Sequence, residues 1–221
     1  MTYEDLIAEL VERRALIVHC SRPGKSGDDG PLFPEDLRKA IEIVGNGTGA
    51  VSCSVVWPSH QKTYGAVGIV LRPRTTSSVT SLKSIDAGTR WDPAAGERTG
   101  DGAPFSAEAV ADTFDNPTGY NEWVVRDADC LGIFVNLQEP LEVARRVEPK
   151  DLEGYDESMI DCGPVVCAGP IRPDEIRSEF PGLPIFVCHN GAILDDGGIP
   201  ASPYGIQAAA PPCDDRDRAE R

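Results

Sequence analysis

Residues 50–73 read AVSCSVVW, then PSHQKT, then YGAVGIVLRP. Two Val- and Ile-rich runs flank a short polar loop containing Pro58. Each run is too short for a core helix and too apolar for a surface one, so each predicts a buried strand. Ser52 and Ser54 stand two apart on the first strand and therefore face the same side of it. Gly65 and Gly68 sit on the second strand, where a missing side chain allows close approach of backbone or ligand. His60, in WPSHQK, is expected to be exposed in the loop, within reach of a target or a nucleotide.

Upstream, YEDLIAELVERR (3–14) places Leu6, Ile7, Leu10 and Val11 at helical spacing. ALIVHCS (15–21) is a short apolar run that predicts a strand, and RPGKSGDDGP (22–31) a loop. Pro34 opens PEDLRKAIEIV, a helix with acidic residues in its first turn and Gly45 beyond its end.

Downstream, a short strand is expected around Val79–Ile85 and a loop over 92–104. FSAEAVADTFD is a helix with Ser106 as its cap. NEWVVRD and LGIFVNL are two strands separated by a turn at Asp127–Asp129. Residues 148–205 are rich in Pro and Gly, with VVCAG and LPIFVCH as strands and PDEIRSEF as a helix begun by Pro173. The stretch 206–221 reads as a disordered tail. This pattern predicts one α+β domain over 1–205, short helices first and a mostly antiparallel sheet after them.

Composition narrows the function classes. In 221 residues, 40% are apolar, which excludes wholesale disorder. No run approaches the length of a membrane span, and the charged N-terminal helix is not a secretory signal, so a cytoplasmic protein is expected. Lys and Arg number 21 against 36 Asp and Glu, a net charge of −15. Such a surface repels phosphate backbones and argues against broad nucleic-acid binding. The seven cysteines mostly lie in apolar runs and read as buried free thiols. Cys162, Cys167, Cys188 and His189 lack the tight CxxC knuckle of a zinc site, and no metal is expected. A cysteine hydrolase on Cys188 or Cys20 has no base marked by spacing.

No P-loop, HExxH or GxSxG is present. What remains is a set of polar residues on apolar strands: His19 and Ser21 in VHCSR, Ser52 and Ser54 in VSCSV, Tyr64 before Gly65, and Glu122 in YNEWVVRD. They share one site if these strands share one sheet. A carboxylate set against Trp and Val is partly buried and must find a partner.

In order, these motifs resemble the abortive-infection and DarT-like branch of the ADP-ribosyltransferase superfamily, over roughly residues 15–136. His19 and Ser21 match that branch's His with a hydroxyl residue two positions on. Ser52–Cys53–Ser54 is similar to the superfamily's Ser-Thr-Ser strand, and Glu122 to its late acidic residue. Tyr120 stands two residues before Glu122, where other branches carry an acidic residue or Gln, and Arg22 is an alternative basic residue on the first strand.

The resemblance implies a toxin or phage-defence effector that transfers ADP-ribose from NAD to an unknown acceptor, with NAD held in the cleft of a split sheet. His19, Ser21 or Arg22 would hold the nicotinamide side, Ser52 or Ser54 would order the cleft, and Tyr64 would stack on nicotinamide. Glu122 would be catalytic. Residues 148–205 would complete the sheet, cover the cleft as a lid, or bind an antitoxin. The alternative is a non-catalytic, acidic accessory protein whose surface engages a basic protein partner.

Overall fold

The computed structural model describes residues 1–21, 32–60, 62–85, 90–92, 97–99, 102–115, 119–147, 151, 165–195, 198 and 202–205. Arg22, Cys162, Cys213 and the stretch 206–221 lie outside the described residues.

Helix α1 spans Tyr3–Glu12. Thr2 caps it through a reciprocal pair with Asp5, which satisfies donors the first turn would otherwise leave open. Leu6 and Leu10 form its buried stripe. Strand β1 (Leu16–Ser21) follows, then α2 (Glu35–Gly45), whose buried stripe is Leu37, Ala40 and Val44. Pro34 occupies the cap position of α2, and Gly45 falls inside its last turn.

Four strands come next: β2 (Ala50–Val56), β3 (Val67–Pro73), β4 (Val79–Lys83) and β5 (Arg90–Asp92). Strand β6 (Glu97–Thr99) pairs with β5 as a small antiparallel ladder. The expectation of a loop over 92–104 is therefore corrected, and Ala103 also bridges Leu82 at the edge of β4. Three-residue strands span too few alternations for a period of two to be visible.

Helix α3 (Ala107–Phe114) is capped by the Ser106 hydroxyl, as expected. Strands β7 (Glu122–Arg126) and β8 (Ala128–Asn136) meet at a bend at Asp127, whose φ is 49°. Beyond them lie β9 (Glu142–Val147), β10 (Val165–Pro170), α4 (Pro173–Glu179), β11 (Ile185–His189) and β12 (Ala192–Leu194).

Eight strands form one sheet in the order β12-β11-β8-β3-β1-β2-β7-β4. Only the β11–β8 pair is parallel among its ladders. The class is α+β, with a mostly antiparallel mixed sheet. Strands β9 and β10 pair separately, and Phe33 ties this hairpin to the start of α2 by donating to the Ala144 carbonyl. Among the described residues, no helix is long and apolar enough to cross a membrane.

Central β1 and β3 are the most deeply buried strands. Leu16, Ile17, Val18, Val67, Ile69, Val70 and Leu71 are all fully shielded, and each such side chain contributes about 1.5–3 kcal/mol of burial. Helix α2 packs against β1, β2, β3, β7 and β8. Gly68 explains how β1 and β3 fit: a Cβ there would lie 2.5 Å from the His19 carbonyl oxygen.

Candidate functional site

The β1–β2 ladder pairs Leu16 with Val56, Ile17 with Val55 and Val18 with Ser54, and stops there. Past that point β1 continues beside β3 as far as Ser21 opposite Val67. Strand β2 runs beside β7 as far as Ala50 opposite Arg126. The sheet is split between β1 and β2, and His19, Ser52, Ser54 and Glu122 collect at the split.

His19 is the first β1 residue beyond the last pair. Its Nδ1 lies 2.7 Å from the Ser52 carbonyl oxygen. A carbonyl only accepts, so Nδ1 carries the proton and donates. In the neutral ring Nε2 is then the acceptor nitrogen. The imidazole thus spans the split where backbone pairing has ended.

Ser52 works from both ends. Its carbonyl holds His19, and its hydroxyl donates to Glu122 Oε1 at 2.5 Å. Glu122, the first residue of β7, is only 3% exposed, so the carboxylate sits where water screens it weakly. It is paired in register with Lys83 of β4. Ser54 is buried opposite Val18, at the last pair before the split.

Asn121 fixes the start of β7. Its carboxamide accepts from the Val55 amide at 2.7 Å and donates to the Val55 carbonyl at 2.8 Å. A side chain here imitates a peptide group and continues the β2–β7 pairing for one more step. Asn121 is fully buried, so both bonds are made away from water. Sequence reasoning passed over it; its one signal is a polar amide beside an apolar strand.

Tyr64 stacks on Tyr120, with ring centroids 4.8 Å apart and planes 20° from parallel. Tyr120 lies two residues before Glu122, so the aromatic pair stands beside the carboxylate's strand. The Lys62 ammonium lies 5.9 Å from the Tyr120 ring centre. Gly65 brings this segment against β1: a Cβ there would lie 2.1 Å from the Ser21 carbonyl oxygen. At Gly65 and Gly68, the close approach is of backbone to backbone.

Ser21 points elsewhere. Its hydroxyl donates to Asp36 Oδ2 at 2.5 Å and anchors β1 to α2. Burial pushes the Asp36 carboxyl above its ordinary value, against the opposing pull of Ser21.

No family model, no curated protein and no solved structure matches the chain.

His60 corrects an expectation. It is 1% exposed, not a surface loop residue. Its ring stacks on Trp57 at 3.9 Å and 9°, and Nε2 donates to the Gly119 carbonyl at 2.7 Å. Trp57 and His60 also exchange both backbone hydrogen bonds. The apolar face of this turn outweighs the loop character of Pro58 and Ser59.

The thiols fit a structural role. Cys53 is buried, and desolvation raises its pKa well above the ordinary value, with Cys20 and Glu122 adding to the effect. Burial pushes Cys188 up to about 12. Neither is a thiolate at neutral pH, so neither meets the first need of a cysteine nucleophile. Among the described residues, Cys53, Cys130, Cys167 and Cys188 carry free thiols.

Proposed function

We propose that this chain is an NAD-dependent ADP-ribosyltransferase-like enzyme, a toxin or defence effector, working at the split between β1 and β2. The observation that carries the reading is the double use of Ser52. One residue holds His19 through its carbonyl and Glu122 through its hydroxyl, joining the two sides of the split.

The chemistry asks for such an arrangement. Cleavage of the glycosidic C–N bond sends its electron pair out with nicotinamide and leaves positive charge on the ribose. The acceptor's nucleophile then bonds that carbon and loses its proton. A carboxylate fixed beforehand stabilises this charge without reorganising, which can supply several kcal/mol. Glu122 is in that role, with Ser52 fixing its orientation. His19 would bind the ribose or the carboxamide through Nε2, and Tyr64, with Tyr120 behind it, would receive the nicotinamide ring. Ser21, bonded to Asp36, would hold β1 against α2, and Arg22 would be the alternative basic residue on the nicotinamide side. A cleft at the split would hold the dinucleotide.

The net charge of −15 favours a protein or small-molecule acceptor over duplex DNA. The test is nicotinamide release from NAD by purified protein, wild type beside Glu122→Ala. Release that disappears in the variant supports the reading. Absence of both NAD binding and release would favour the accessory-protein alternative.

A further inference from the structure

His60 is the buried side chain that the proposed chemistry does not use. It closes a turn in which Ser59 has a φ of 72°, with Pro58 before it, as in a type II turn. A non-glycine residue in that conformation costs about 1–3 kcal/mol and persists only where its surroundings enforce it. Here they do. Trp57 and His60 exchange backbone bonds at 3.0 and 2.9 Å, their rings are stacked, and Phe114 of α3 packs edge-on against Trp57 at 5.0 Å.

This unit reaches the approach to β7 through the bond from His60 Nε2 to the Gly119 carbonyl. Gly119 leads directly into Tyr120, Asn121 and Glu122. Two buried side chains therefore pin the approach to β7: His60 at Gly119, and Asn121 at Val55. The second ring nitrogen of His60, Nδ1, is buried with no hydrogen-bond partner among the described residues. A packing histidine has no need of a donor aimed at that carbonyl; a clamp does.

We propose that His60 is a positioning residue: in its neutral form it clamps the Gly119 carbonyl and thereby sets Tyr120 and the Glu122 carboxylate against Ser52. The role in turnover rests on the ADP-ribosyltransferase reading; the clamp itself does not. Burial opposes charging the ring, while the bond to the Gly119 carbonyl favours it, and burial is the larger effect. Around it, Trp57, Phe114 and Gly119 are uncharged. Lys62 is the charge that acts on the ring and opposes its protonation, and Arg13, paired with Glu9, lies beyond Phe114.

The test compares wild type, His60→Phe, which keeps a stackable ring without the donor, and His60→Gln, which restores an amide donor. Amide hydrogen exchange over 119–124 should quicken about tenfold in His60→Phe and recover in His60→Gln, with β3 and β8 unchanged. Nicotinamide release should show a matching fall in kcat with KM for NAD nearly constant. Unchanged exchange over 119–124 in His60→Phe overturns the clamp. A wild type that never releases nicotinamide refutes the enzyme reading, while the exchange result still decides the clamp. Should His60→Phe fail to fold, wild type decides it: the His60 Nε2–H proton, followed by its NMR signal, must be protected from exchange together with the amides of 119–124. An Nε2–H that exchanges freely while those amides stay protected overturns the inference.

Discussion

Ser52 and Glu122 are joined by a 2.5 Å hydrogen bond across β2 and β7, and the same serine holds His19 through its backbone. The bond ties the orientation of a nearly unexposed carboxylate to the strand that borders the split. Ser52→Ala removes the donor but leaves the carbonyl. A hydrogen bond to a charged group contributes about 1.5–3 kcal/mol, so turnover should fall roughly 10- to 100-fold. His19 should keep its own bond, and NAD affinity should hold. Steady-state kinetics separates the two, as a loss in kcat without a rise in KM.

His19 bridges the split through Nδ1, and this role can be separated from any role of Nε2. In His19→Asn, the side-chain amide nitrogen stands where Nδ1 stands and can still donate to Ser52. His19→Ala cannot. Thermal unfolding should show Asn close to wild type and Ala destabilised by about 1 kcal/mol. NAD binding, measured by calorimetry, should weaken in both, because both lack Nε2.

Asn121 imitates a peptide group, so its loss leaves a buried amide and a buried carbonyl of Val55 unpaired. Each such orphan costs about 1–3 kcal/mol. Asn121→Ala should therefore lose about 2–5 kcal/mol in denaturant unfolding, far more than an exposed polar residue would. A loss below ~1 kcal/mol would mean that the pairing is dispensable.

Burial lowers the His60 pKa from its ordinary 6.5, this being the largest effect on it. Above pH 6.5 the ring is neutral in both folded and unfolded chains, and its contribution to stability is fully present. As pH falls below 6.5 the unfolded chain takes up a proton that the folded chain resists. Stability then declines until the folded pKa is reached. The His60→Gln variant should lose this part of the acid sensitivity. Unfolding free energies measured between pH 5 and 8 on both proteins check the sign.

Much of this architecture is visible in the chain because strong local signals agree with the tertiary outcome. The stripe Leu6 and Leu10, the Ser106 cap and the apolar runs of β1, β2, β3 and β8 all point the same way. Gly65 and Gly68 were legible as close approaches because only a missing side chain fits there. The β11–β12 hairpin also carried its signal unread: Asn190 and Gly191 have φ of 47° and 80°, the two positive values such a two-residue turn requires.

Other features depend on contacts far along the chain. Strand β9, with Glu142, Arg145 and Arg146, shows no apolar run and is defined by its pairing with β10. His60 reads as a loop residue until Trp57, itself packed on Phe114, and Gly119 meet it. Within the site, the types of His19, Ser52, Tyr64 and Glu122 were evident, but their wiring was not. That Ser52 makes the bond to Glu122 while Ser21 turns to Asp36 follows from register and strand splitting, which single-residue motifs do not encode.

The most direct measurement is nicotinamide release from NAD at neutral pH by wild type, Glu122→Gln and Ser52→Ala in parallel, with folding of each confirmed by thermal unfolding. The expected order is wild type fastest, Ser52→Ala intermediate, and Glu122→Gln slowest by about 100- to 1,000-fold, the cost of losing a preorganised charge. A folded wild type that neither binds nor cleaves NAD, or a Glu122→Gln variant that releases nicotinamide as fast as wild type, would contradict the account.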